Sequence, residues 1–226
     1  VIGVVQGVQG KFARAMPASM VVGMLEGWGI ALETEPVKSA GGDLQRATDA
    51  QTGSIDYSNF EQAKKAAERS DSRAMYQLAE MYADGKVVSK NVSEATKWLR
   101  RSADAGHSEA QSEMGLISLS KAAGLAGDDE SAVHFLRDKS KQSEFISMIL
   151  DPQTMQIRNQ VALKESTKWL RMAADQGQDA NAQLVLGLLT GAGVGVKKDP
   201  AQAAKWMGLA ATKLPVAQAL MGLYYF

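Results

Sequence analysis

The chain has no cysteine among its 226 residues. That excludes a disulfide framework, a thiolate nucleophile and a cysteine-based zinc site. Histidine is scarce as well, with only His107 and His134 present, and neither has a second histidine or a carboxylate at the spacings zinc motifs use. An excess of one charge is also missing. Lysine plus arginine equals aspartate plus glutamate at 25 each, so no basic field draws the chain to nucleic acid or an acidic membrane surface, and nucleic acid is not expected as a partner. Long apolar runs are lacking too. The longest, Ala18 to Leu32, spans 15 residues and contains Glu26, short of the ~20 a membrane crossing needs, and reads as a packed helix. No positively charged region precedes the opening VIGVVQGVQGK, so an intact secretory signal is not visible and earlier removal of one stays open.

What is present is repetition. EATKWLRRSADAGH (94–107) and ESTKWLRMAADQGQ (165–178) are nearly one phrase, and the same skeleton recurs in SAVHFLRDKSKQS (131–143) and AAKWMGLAATKL (203–214). Their aromatic residues Trp98, Phe135, Trp169 and Trp206 lie 37, 34 and 37 residues apart, a period typical of paired-helix repeats. A second phrase precedes three of them: SRAMYQLAEMYADGK (72–86), SEAQSEMGLISLSK (108–121) and ANAQLVLGLLTGAG (180–193), with PVAQALMGLYYF (215–226) as a half-copy. The division that follows is 72–107, 108–144, 145–178, 180–214 and the half repeat 215–226. The repeat at 145–178 departs most, because FISMILDPQTMQIRNQ lacks the small-residue pattern and carries Pro152.

Both phrases are helical in period. Ala74, Leu78 and Tyr82 share one face of the first helix, as do Ala182, Leu186 and Gly187 in the later copy; Ala95, Trp98, Leu99 and Ser102 do so in the second. Asn91 and Asp199 stand where N-caps belong, with Glu94 and Gln202 three residues on and Pro200 at the first helical position. Gly106 and Gly177 fall where a helix end takes a left-handed residue. Gly115, Gly187 and Gly222, with Ala79 in the same place, let neighbouring helices approach closely. One repeat cannot bury its apolar faces alone, so stacking builds the core.

Upstream, 56–71 reads as a second-type helix without its tryptophan, and 44–71 as a degenerate first repeat or cap. Residues 1–43 differ in kind, holding eight of the 21 glycines and no repeat skeleton. Met16, Met20, Met24 and Trp28 form a stripe there, read either as a cap packed on the array or as an adaptable partner-binding face.

The order A-x-A-Q/M-x-x-L-G/A-x-x-Y, a glycine turn, K-N/D, then E-A-x-K-W-L-R-x-A-A-x-x-G resembles the Sel-one-like repeat, a relative of the tetratricopeptide repeat. The clearest copies are 72–107 and 180–214, with turns GKVVSKN (85–91) and GVGVKKD (193–199), and the resemblance covers roughly 56–226. It implies an all-α, right-handed α/α superhelix that binds a protein partner. It also implies a bacterial adaptor or assembly factor of the periplasm or cell envelope, a cytoplasmic place remaining open, or alternatively an immunity-type protein that occludes a secreted toxin. Two departures stand out. The 145–178 repeat lacks a recognisable first helix, which implies a kink or an insertion, and residues 1–43 fall outside the pattern.

Enzyme chemistry finds little support. Ser118 and Lys121 match S-x-x-K, yet no S-D-N or K-T-G follows. His107 ends its repeat where Gln178 stands in the related copy, a helix-end contact, and GAGVGVKKD (191–199) lacks the ending of a phosphate loop. No catalytic residue, metal or cofactor is therefore expected.

First helices line the concave face of an α/α solenoid, so residues off their packing stripe are the candidate contacts: Arg73, Gln77 and Glu80, then Glu109, Glu113 and Leu116, then Asn181, Val185 and Leu188, with Leu220 and Leu223 extending the row. This face runs from charged to apolar along the array. The apolar end is either open to a partner or a second copy of the chain, or covered by a further helix.

Overall fold

A computed structural model describes residues 59–176 and 179–225. The expectations for the 1–43 segment, its methionine stripe, the start of the 44–71 cap, Gly177 and Gln178 lie outside the described residues. Among the described residues there are ten α-helices and no strand. They are α1 (Phe60–Glu68), α2 (Ser72–Asp84), α3 (Val92–Asp104), α4 (Ser108–Ala122), α5 (Asp129–Arg137), α6 (Lys139–Leu150), α7 (Gln160–Asp175), α8 (Ala180–Ala192), α9 (Pro200–Ala211) and α10 (Pro215–Tyr225), with a 3-10 turn at Pro152–Thr154 after α6.

Local chemistry sets where these helices start. Asn91 and Asp199 cap α3 and α9 as their sequence positions predict, accepting from the amides of Glu94 (3.1 Å) and Gln202 (2.9 Å). Asn159 does the same for α7, accepting from Ala162 at 3.0 Å. A cap of this kind contributes about 1 kcal/mol. Gly85, Gly106 and Gly193 take φ of 72°, 93° and 80°, the left-handed region that only glycine enters without strain. Gly85 has a second constraint, since a Cβ there would lie 2.7 Å from Lys90 Cβ.

Stacking is stitched by the glutamine of the A-x-A-Q phrase. The Gln111 amide donates to the Ala103 carbonyl at 3.1 Å, Gln183 to Ala174 at 3.5 Å and Gln218 to Ala211 at 2.7 Å. Each bond joins the start of one hairpin to a carbonyl in the last turn of the helix before it, where helix geometry leaves acceptor capacity to spare.

Helix pairing departs from the sequence division at one place. α2 packs on α3 and α8 on α9, as adjacent halves of a repeat, but α4 makes its main contact with α7. A Cβ built on Gly115 of α4 would lie 2.7 Å from Leu170 of α7, just as one on Gly187 of α8 would lie 2.8 Å from Met207 of α9. The residue that meets the small position is thus the one after the tryptophan. Residues 108–144 and 145–178 are therefore not two repeats. They are one hairpin, α4 with α7, opened by an insertion. In the other two hairpins the helices are joined by seven residues, 85–91 and 193–199, whereas 37 residues, 123–159, separate α4 from α7.

The chain leaves and returns at one point, because the amides of Arg158 and Asn159 both donate to the Ala122 carbonyl, at 2.8 and 3.1 Å. Phe135 belongs to the insertion and is not a fourth repeat aromatic. The 131–143 phrase is itself broken, since Asp138 ends α5 and caps α6, accepting from Ser140 at 2.9 Å.

Candidate partner-binding face

α2, α4, α8 and α10 are the first helices, and the residues singled out on them fall into two groups. At the early end Arg73, Gln77 and Glu80 are half-buried on α2, and Glu109 is exposed on α4. Glu113 accepts a hydrogen bond from the Tyr76 hydroxyl at 3.3 Å. The Tyr76 ring stacks on His107 with centroids 4.8 Å apart, which places His107 in a helix-end contact. Burial lowers the His107 pKa.

Electrostatics at this end are governed by crowded carboxylates. Desolvation, reinforced by Glu80, raises the Glu113 pKa from 4.5 to about 7, against the opposing pull of Arg137 and the Tyr76 hydroxyl. Burial raises the Asp179 pKa from 3.8 to about 6, even though Asp179 caps α8 and accepts from Ala182 at 2.7 Å. Buried acids resist ionisation because water no longer solvates the charge. The cation they gather is Arg137, at the end of α5. Its guanidinium pairs with Glu80 and, at 3.0 Å, with Asp84. Burial disfavours that charge, but Glu80 and Glu113 outweigh it and hold the arginine above its usual value.

The apolar end corrects an expectation. Val185, Leu188 and Leu220 are 0%, 3% and 6% exposed, so they offer no open stripe. The side chain of Leu223 lies outside the described residues. For Val185 and Leu188 the cause is the insertion. Phe145, Ile146, Ile149 and Met155 are buried in one core cluster with Val185, Leu188 and Leu189, and Leu116 packs against the same cluster. α6 and the following 3-10 turn both contact α8. α8 is therefore apolar on every side, as a helix enclosed on every side must be. Asn181, at its start, is half-buried.

The insertion is pinned elsewhere by charge. Asp129 pairs with Lys121 at 2.5 Å and with Arg100 at 2.7 Å, and Arg100 reaches Glu165 at 3.3 Å. Burial alone would raise the Asp129 pKa, but the bonds from Lys121 and Arg100 prevail and lower it. Lys121 is thereby committed to a carboxylate, while the Ser118 hydroxyl is fully buried without a hydrogen-bond partner. The S-x-x-K pair does not assemble a nucleophile and its base. Among the described residues no three His, Asp or Glu side chains converge as a metal would require, and no helix is long and apolar enough to cross a membrane.

The Sel1 repeat family model matches residues 72–107, 163–178 and 180–213. These are the first hairpin, the second half of the hairpin that the insertion opens, and the last hairpin. None of the curated proteins matches. Among solved structures the chain is similar to a Sel1 repeat protein from Oxalobacter formigenes, at 25% identity and a TM-score of 0.50, over 71% of this chain and 94% of that one. It is also similar, at 26% identity and a TM-score of 0.31, to a protective antigen present in uropathogenic Escherichia coli strains that displays an SLR fold. That match covers 69% of this chain and 33% of the antigen. The chain thus carries Sel1 repeats in these three segments and resembles Sel1 repeat proteins, whose fold generally mediates protein–protein interaction.

Proposed function

We propose that this protein is a non-catalytic scaffold that holds a protein partner on its first-helix face and grips a basic side chain of that partner at the early end. One observation carries the reading. Glu80 and Asp84 of α2 both pair with a single guanidinium brought from outside the repeat array, whose charge Glu113 of α4 also favours. Arginine is suited to such a place because its planar fork satisfies two acceptors at once and keeps its charge when desolvated. The row from Gln77 to Glu109 flanks this anchor and supplies the polar rim that interfaces carry around a desolvated centre.

The reading is tested by affinity capture from the native host with three forms of the protein matched for helicity: wild type, a Gln77→Arg/Glu109→Arg variant, and a Lys168→Glu control on the exposed side of α7. A partner retained by wild type and control and lost by the double variant supports it. Equal retention by all three forms removes the first-helix face from partner binding.

A further inference from the structure

The insertion at 123–159 is longer than hairpin closure requires, since seven residues join the helices of the other two hairpins. Its chemistry also follows the polarity of the face it covers. Arg137 lies on the acidic end, against Glu80 and Asp84. Phe145, Ile146, Ile149 and Met155 lie on the apolar end, in one cluster with Val185 and Leu188. A partner of a first-helix face that changes from acidic to apolar needs those two features in that order. We infer that α6 and the turn after it are a resident occupant of the partner-binding face. The partner is a polypeptide segment that presents an arginine followed by an apolar helical face, and it binds by displacing the Arg137 side chain from Glu80 and Asp84 together with α6 from the apolar end. This inference rests on the scaffold reading above and names the partner's chemistry.

The attachment of the insertion favours such a displacement. The first half of α5 is fixed: Asp129 holds it to α3 and α4, and Ala132 and Val133 are buried in a cluster with Leu99, Met114 and Trp169. Residues 158 and 159 are fixed as well, by their bonds to Ala122. Between these two anchor points α6 is a 12-residue helix that joins α5 at a single residue, Asp138. It packs on α5, where Phe145 meets Phe135 edge to face at 5.9 Å, and on α8 and the turn. Its outer side carries the exposed Ser140 and Lys141. A helix this short is marginal in water without a surface to lie on. A competing helix of the same pattern can therefore take its place without disturbing the hairpins beneath.

The test uses the full chain and a fluorescein-labelled synthetic peptide of residues 137–155, read by anisotropy against wild type and a Phe145→Ser/Ile149→Ser variant. Hydrogen exchange reports in parallel on 139–150 and on α2, α4 and α8. The expected result is that the variant exchanges faster in 139–150 alone and binds the peptide at least tenfold more tightly than wild type, and that adding Glu80→Arg abolishes this binding. Equal affinity for both forms overturns the inference, as does absence of binding to a variant whose α2, α4 and α8 remain protected. If the peptide fails while the captured partner still depends on Gln77 and Glu109, the scaffold reading stands and the resident occupant falls. If capture shows no such dependence, the scaffold reading itself fails, whatever the peptide does.

Discussion

Pairing of α4 with α7 across 37 intervening residues can be measured through one close approach, Gly115 against Leu170. A Cβ on Gly115 would sit 2.7 Å from both Cγ and Cδ2 of Leu170, and Leu170 is fully buried, so its side chain cannot swing into solvent. Overpacking of this kind costs about 1–3 kcal/mol, while alanine in place of a helical glycine returns about 0.5–1 kcal/mol. Gly115→Ala is therefore expected to lose up to about 2.5 kcal/mol, a fall in melting temperature of up to roughly 10 °C for a domain of this size. Leu170→Ala alone leaves a cavity and costs about 2–5 kcal/mol. Together the two should not add. With Leu170 shortened, the clash with Cγ and Cδ2 is gone and only the 3.3 Å approach to the residue 170 backbone nitrogen remains, so the double variant should lie within about 1 kcal/mol of Leu170→Ala. Gly208 is the internal control, since the nearest atom to its added Cβ is 4.0 Å away; Gly208→Ala should stabilise by about 0.5–1 kcal/mol. Thermal and urea unfolding followed by far-ultraviolet circular dichroism give all four values. Costs for Gly115→Ala that agree within about 0.5 kcal/mol in the two backgrounds would refute the pairing.

The raised acid Glu113 binds its proton more tightly folded than unfolded, so stability should fall as pH rises from its ordinary value of 4.5 towards about 7. Asp179, at about 6, shares that window and His107, held below its usual 6.5, opposes it, so the share of Glu113 between pH 6 and 7, up to about 1 kcal/mol per pH unit, is read as the difference between wild type and Glu113→Gln. Glu113→Gln keeps an acceptor for Tyr76 and should flatten the melting temperature across that interval; an unchanged slope counts against the buried carboxyl. Ser118→Ala removes a buried hydroxyl that has no hydrogen-bond partner, and should leave stability unchanged or raise it by up to about 1 kcal/mol. A loss above that, read by urea unfolding, would mean the hydroxyl has a bonding role. Asn91→Ala deletes the cap on α3 and should cost about 1 kcal/mol by the same measurement; no change would mean that the bond to Glu94 is not what starts the helix.

Local chemistry made much of the fold legible. The caps at Asn91 and Asp199, the left-handed turn at Gly106, the small positions at Gly115 and Gly187 and the helical stripes depend on residues three or four apart, so they show in the sequence and recur in the structure. Pairing between distant segments does not show in this way. The phrase 131–143 matched the repeat skeleton by its aromatic–Leu–Arg order alone, and its 34-residue spacing from Trp169 disguised an insertion as a repeat. One signal was available: 108–121 was followed by no K-N/D turn, and 165–178 was preceded by no small-residue helix, so two half-repeats lacked partners that each could supply to the other. Arg137, Asp84 and Tyr76 were missed as members of the acidic end because their roles arise from helices far apart in the chain.

An array of helical hairpins of the Sel1 type can be read from the residues alone, because helix periodicity, capping and glycine placement act over a few residues. Which hairpin the insertion opens follows from the packing of α4 on α7. That the apolar end of the first-helix face is covered also follows from tertiary packing, because burial is settled by which distant segment comes to lie on a surface and not by the residues that compose it.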